Sequence, residues 1–174
     1  MRESDLAREG LTFCLDSEAA LKAQAGEVAL RWLDLGLGPL LVGLQGHLGV
    51  GKTTWVRGML EGLGYPGRVP SPTYTLLEHY DLETITVVHV DLYRLASPGK
   101  LADSRELESL GLRDWLAERH TWLVVEWPDL APALAARCDL EVGFEPTGAQ
   151  RRTVRLRPQS ETGEQAIKGL ARNS

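Results

Sequence analysis

The segment Gly46-His47-Leu48-Gly49-Val50-Gly51-Lys52-Thr53 carries the spacing of a phosphate-binding loop. Gly46, Gly49 and Gly51 let a backbone wrap closely around an anion with its amide hydrogens turned inward. Lys52 brings a positive charge to β- and γ-phosphates, and the Thr53 hydroxyl suits magnesium. Val50 and Thr54 complete the stretch expected to contact the nucleotide. A loop of this kind opens a helix, whose N-terminal dipole also favours phosphate. The chemistry implied is binding of a nucleoside triphosphate with Mg2+.

Such a loop needs a second acid for the metal or the attacking water. Two acids follow apolar runs: Asp91 after Val87-Val88-His89-Val90, and Glu126 after Trp122-Leu123-Val124-Val125. Parallel strands beside the loop's own strand would bring both to the sheet edge where ligands bind in open α/β folds. Either acid can be the direct metal ligand, since a one-residue difference in strand end exchanges them. His89 reads as a structural histidine more than a catalytic one, its side chain set apart from that of Asp91. Arg94 reads as an arginine finger or as an ion-paired loop anchor. Tyr74 and Tyr93 read as contacts of a switch-like loop or as anchors with buried rings. His79 and His120 read as surface residues. The only asparagine is Asn173, so the Asn-Lys-x-Asp element of guanine-specific proteins is absent and ATP is favoured by elimination. No Cys, His and acid cluster has zinc-like spacing.

The elements that would position these residues follow from periodicity and breakers. Leu11–Leu15 is a short edge strand. Asp16 or Ser17 caps an amphipathic helix over about 18–35, stopped by Gly36, Gly38 and Pro39. Leu40–Leu44 is a buried strand, and Lys52 to about Leu63 a helix. The prolines of Val69-Pro70-Ser71-Pro72-Thr73-Tyr74-Thr75 keep that stretch out of helix. Leu76–Tyr80 and Thr84–Val90 are strands around a turn at 81–83. Residues 92–112 are a loop with short helical turns, then Arg113–Arg119 a helix and Thr121–Val125 a buried strand. Pro128 and Pro132 break the chain after it. Leu140–Phe144 and Thr153–Leu156 are late strands, the second with Val154 and Leu156 inward and Arg155 and Arg157 outward. This order predicts an α/β fold: one P-loop NTPase-like domain over residues 1–158, a central mixed sheet with helices on both faces. Residues 159–174 form a tail with a short helix from Glu164 to Ala171.

Composition fits that reading. Of 174 residues, 43% are hydrophobic and 25% charged, close to ordinary globular usage. No apolar run is long enough for a membrane span. The acidic start, Met1 to Asp5, is unlike a secretory signal, and the cytoplasm is the expected compartment. Cys14 and Cys138 are expected to be reduced and buried. Net charge is −5, unevenly spread. From Ala149 onward Arg151, Arg152, Arg155, Arg157, Lys168 and Arg172 face only Glu161 and Glu164, leaving an acidic body that disfavours autonomous nucleic-acid binding. The basic segment reads as a solvated strand face or as a contact for RNA or an acidic partner.

Several blocks together resemble one family. They are the loop above with Thr54, Ser71-Pro72-Thr73-Tyr74-Thr75-Leu76, His89-Val90-Asp91-Leu92-Tyr93-Arg94-Leu95, Glu106-Leu107 with Gly111-Leu112, and Val125-Glu126-Trp127-Pro128. From about residue 12 to 157 the chain is similar to the TsaE (YjeE) family. The resemblance implies an ATPase needed for threonylcarbamoyladenosine modification of tRNA. It implies two partner proteins that make the transfer, and an ATP hydrolysis that resets their assembly. It implies that Lys52 and Thr53 hold phosphate and Mg2+, that Glu126 and Asp91 are metal-site or catalytic acids, that Thr73 lies near the γ-phosphate, and that Trp127 lies near the nucleotide. The chain departs from the family at His47, usually aspartate, and at Val50, usually alanine. The competing readings are a small-molecule or nucleoside kinase, with Arg105, Arg113 and Arg119 as lid cations, and a nucleotide-dependent binding module without turnover.

Overall fold

A computed structural model describes residues 9–95, 101–102 and 104–171. The acidic N-terminus, residues 96–100 of the loop after Asp91, the side chain of Glu106, and Arg172 lie outside the described residues. In chain order the elements are β1 (Leu11–Leu15), α1 (Glu18–Asp34), β2 (Leu40–Gln45), α2 (Lys52–Gly62), β3 (Leu77–Asp81), β4 (Thr86–Asp91), a 3-10 turn (Tyr93–Leu95), α3 (Ser104–Ser109) and α4 (Leu112–Ala117). β5 (Thr121–Glu126), a 3-10 turn (Pro128–Leu130), α5 (Pro132–Ala135), β6 (Leu140–Pro146), β7 (Arg152–Pro158) and α6 (Glu161–Ala171) follow.

The strands form a single sheet in the order β1-β7-β6-β2-β5-β4-β3. β6, β2, β5 and β4 run parallel, while β7 and β1 at one edge and β3 at the other are antiparallel to their neighbours. Parallel strands are covered on both faces, which is why β2 and β5 read as unbroken apolar runs. Val42, Leu44, Val87, Trp122 and Val124 pack beneath α1, α2 and α6 through Leu21, Trp32, Trp55, Met59 and Ile167. Leu41, Val88, Val90, Leu123 and Val125 pack on the other face against Leu112, Leu134 and Cys138. The α/β architecture with helices on both faces is therefore the observed one.

Several boundaries move for physical reasons. Ser17, not Asp16, caps α1, its hydroxyl accepting from Ala20 N–H at 3.1 Å. Leu76 takes φ +65° and β3 begins one residue later. The β3–β4 turn is longer than 81–83, closed by Leu82 N–H donating to Ile85 O at 3.0 Å, so β4 begins at Thr86. Pro128 and Pro132 open short helical turns, where a missing N–H costs nothing. The final helix starts at Glu161, and Ala166 and Ile167 are fully buried in the core. Cys14 is exposed, contrary to the expectation, because strand alternation sets it with Thr12 on the solvent side while Leu15 faces inward; Cys138 is buried.

Candidate functional site

β2 and α2 are joined by the loop Gly46–Gly51, and Gly51 caps α2 with φ +116°, a backbone state that favours glycine. Register carries the two acids to the same level. Leu44 on β2 pairs with Glu126 on β5, and Glu126 pairs with Asp91 on β4. Side chains alternate along a strand, so Asp91 and Glu126 share the face of Val87 and Trp122, the face that α2 covers.

The contacts agree with this placement. Thr53 Oγ1 donates to Glu126 Oε1 at 2.7 Å. Thr73 Oγ1 donates to Asp91 Oδ2 at 3.0 Å and lies 2.8 Å from Ser71 Oγ. The Tyr93 N–H donates to Asp91 Oδ1 at 3.0 Å. Lys52, Asp91 and Glu126 are each at most 4% exposed. Lys52 Nζ donates to the carbonyls of Gly46 at 2.8 Å and His47 at 3.0 Å, and sits 3.7 Å from the centroid of the Trp127 ring. Burial lowers the Lys52 pKa, against the opposing pull of Glu126, Asp91 and Asp129. Negative charge placed beside the ammonium would oppose that shift.

Trp127 follows Glu126 directly in a left-handed backbone, φ +61°, where a bulky residue costs about 1–2 kcal/mol. Its N–H donates to Leu44 O at 3.1 Å, and its ring lies 5.1 Å from that of Tyr93. The turn thus lays the indole over Lys52 rather than continuing β5. A cleft of about 230 Å3 results, lined by Gly49, Gly51, Lys52, Thr53, Thr54, Thr73, Asp91, Glu126 and Trp127, with Leu48, Ser71 and Tyr93. Gly46 and Val50 serve through their backbone: Gly46 O holds Lys52, and Val50 O accepts from Arg152 Nη1 at 3.2 Å while its side chain is buried.

His89 requires correction. Residues 89 and 91 are two apart in a strand and therefore share a face. The fully buried His89 Nε2 lies 2.9 Å from Glu126 Oε1, the oxygen that also accepts from Thr53. Nε2 faces the carboxylate as donor, and the buried Nδ1 has no hydrogen-bond partner among the described residues. Strand alternation was the signal that would have found it. Arg152 had none, because only the β6–β7 pairing brings it to the loop. Tyr74 is 85% exposed, not buried. Arg94 stacks on it with 5.1 Å to the ring centroid and donates to Thr73 O at 3.4 Å, and it forms no ion pair among the described residues. His47 is exposed at the loop tip. His79 and His120 are exposed, as are Arg105, Arg113 and Arg119 on or beside α3 and α4. Arg155, Arg157 and Lys168 each lie 3.3 Å from a glutamate: Glu145, Glu141 and Glu164.

One hydroxyl and two carboxylates converging in a buried cluster make a hard-oxygen donor set, which suits Mg2+. Among the described residues no helix is long and apolar enough to cross a membrane.

Residues 15–154 match the family model described as Threonylcarbamoyl adenosine biosynthesis protein TsaE. The tRNA threonylcarbamoyladenosine biosynthesis protein TsaE of Haemophilus influenzae is 36% identical over 132 residues, covering 76% of this chain and 78% of that protein. The protein of the same description from Mycobacterium leprae is 37% identical over 136 residues, covering 75% and 79%. The crystal structure of Bacillus subtilis YdiB superposes with a TM-score of 0.71 over 93% of this chain and 94% of that one, at 23% identity, which shows a common fold. The family match spans the phosphate loop, both strand-end acids and Trp127, and the chain belongs to the TsaE family of threonylcarbamoyl adenosine biosynthesis proteins.

Proposed function

We propose that the chain is a magnesium-dependent subunit that binds ATP and hydrolyses it slowly in the service of threonylcarbamoyladenosine modification of tRNA. It acts on a partner transferase assembly of two proteins and not on the base itself. The observation that carries this reading is the convergence of Lys52, Thr53, Asp91 and Glu126 in one cleft at the ends of β2, β4 and β5.

Lys52, together with the loop amides and the α2 N-terminus, would receive the phosphates. Thr53, Asp91 and Glu126 would hold Mg2+, which when bound supplies charge neutralisation at the phosphate oxygens. Asp91 is oriented by Thr73 and by the Tyr93 N–H. Either acid would accept a hydrogen bond from a water at the γ-phosphate. Trp127 walls the cleft and keeps bulk water from Lys52. Arg94 is occupied with Tyr74 and Thr73 O. Among the described residues Lys52 is the one cation lining the cleft, so hydrolysis by the chain alone would be slow and stimulation by the partners is expected. The acidic body argues that tRNA is reached through the partners.

The test is phosphate release from ATP by the chain alone, then with both partners and tRNA. Stimulation by the assembly is the expected result. Fast transfer to a small acceptor without partners would replace this reading with a kinase. Lys52→Ala should weaken nucleotide binding. Glu126→Ala should reduce magnesium binding or hydrolysis more than nucleotide binding, and a fully active Glu126→Ala would remove its assigned role.

A further inference from the structure

Arg152 opens β7, outside the elements that line the cleft, and is paired in register with Leu15 on β1 and Pro146 on β6. Farther along the same strand Arg155 and Arg157 meet carboxylates. Arg152 does not. Its Nη1 donates to Val50 O at 3.2 Å and its Nη2 to Gln150 O at 3.2 Å, and it has no carboxylate partner among the described residues. A Cβ placed on Gly51 would lie 2.8 Å from Arg152 Nη1 and 2.7 Å from Leu21 Cδ2. The guanidinium and Leu21 therefore close on the outer wall of the phosphate loop at the Val50–Gly51 step.

A trans peptide carries its C=O and the following N–H on opposite sides. Holding Val50 O outward against Arg152 turns the Gly51 N–H the other way, toward the cleft that Gly51 lines. A peptide leading into glycine rotates with little steric resistance. Released, it could turn its carbonyl oxygen inward, where the partial negative charge would repel phosphate. We propose that Arg152 is a positioning residue for the phosphate loop. It fixes the Val50–Gly51 peptide with its N–H toward the phosphates and holds a positive charge behind that wall. The proposal rests on the nucleotide-binding reading above.

The experiment measures the Kd of ATP and of ADP for the full chain by titration with a fluorescent nucleotide and competition. It compares wild type, Arg152→Ala, Arg152→Lys, Arg152→Gln and Lys52→Ala. Arg152→Ala should raise both Kd values alike by about five- to tenfold, as expected for loss of one charge-assisted hydrogen bond at a partly exposed site. Arg152→Lys should recover part of the affinity, because it keeps the charge without the planar fork. In 15N-labelled protein the Gly51 amide resonance should move less on ADP addition in Arg152→Ala than in wild type. Should Arg152→Ala be too unstable, Arg152→Gln carries the test, with an expected loss of about two- to fivefold because its donor is neutral. Wild-type affinity in the folded variant overturns the proposal. So does a lower melting temperature without any change in Kd, since that is a purely structural role. A wild-type chain that binds neither nucleotide overturns the binding reading itself, and this outcome is distinct from normal binding in wild type with no effect at Arg152.

Discussion

Glu126 Oε1 accepts from two donors of different character. Thr53 lines the cleft and its hydroxyl can turn toward a metal, whereas His89 is fully buried and cannot leave. Were Thr53 to turn away, His89 would still hold the carboxylate in place. Outer contacts of this kind change metal affinity or activity by about 10- to 100-fold when lost. His89→Leu, which removes the donor, should therefore raise the magnesium concentration for half-maximal hydrolysis by about tenfold, with little change in metal-free nucleotide affinity. An unchanged magnesium curve would leave His89 as packing only. The two cysteines make a second test at this scale. Burial pushes the Cys138 thiol up to about 12, so it stays protonated and unreactive near neutral pH. Cys14 is exposed. A thiol reagent at pH 8 should modify one cysteine per folded chain, Cys14, and the second only after unfolding in denaturant. Rapid reaction of both in the folded protein would contradict the burial of Cys138.

Lys52 and Thr53 are only as well placed as α2, and α2 is set by a seam of small residues against α1. Gly58 lies on the backbone of Lys22, and Gly62 lies on that of Gly26. A Cβ at Gly62 would come within 2.5 Å of Gly26 Cα and 2.9 Å of Gly26 O. These are main-chain atoms that cannot step aside, so the helices must separate. Alanine in place of glycine adds about 1 kcal/mol of helix propensity, but overpacking costs about 1–3 kcal/mol, and backbone contacts this short put the cost at the upper end. Gly62→Ala should be destabilising, with a melting temperature lower by about 2–4 °C per kcal/mol for a protein of this size. A rise in stability would show that the seam has slack. The loop and helix were legible because an apolar strand, a glycine-rich turn and a helical pattern are each local. The strand-end acids were legible for the same reason, and the parallel register then brought them together. The left-handed turns at Leu76 and Trp127 were not, since neither residue type signals positive φ and tertiary contacts impose it. Arg152 was hidden because its role depends on the pairing of β6 with β7, which periodicity does not reveal.

At the scale of the molecule, the proposed ligand site joins parts that are separate in the chain. The β2–α2 loop supplies the phosphate cradle, the 71–73 segment reaches Asp91 through Thr73, and β4 and β5 supply the acids. β2 is the central strand of the sheet and β5 and β4 follow it, with core packed on both faces. A ligand held there favours the folded state as a whole, because unfolding destroys every part of the site at once. With nucleotide at 100 times its Kd, that linkage contributes about 2.7 kcal/mol. At about 2–4 °C per kcal/mol, saturating Mg2+ and ADP should raise the melting temperature by about 5–10 °C. Lys52→Ala, measured at the same ligand concentration, should lose most of the increase, because weaker binding lowers the ratio of ligand to Kd. Chelating the metal should reduce the increase in wild type, since the metal that Thr53, Asp91 and Glu126 are proposed to hold would no longer link them to the phosphates. A ligand-induced rise that survives both changes would mean that the nucleotide stabilises the fold from somewhere other than this cleft.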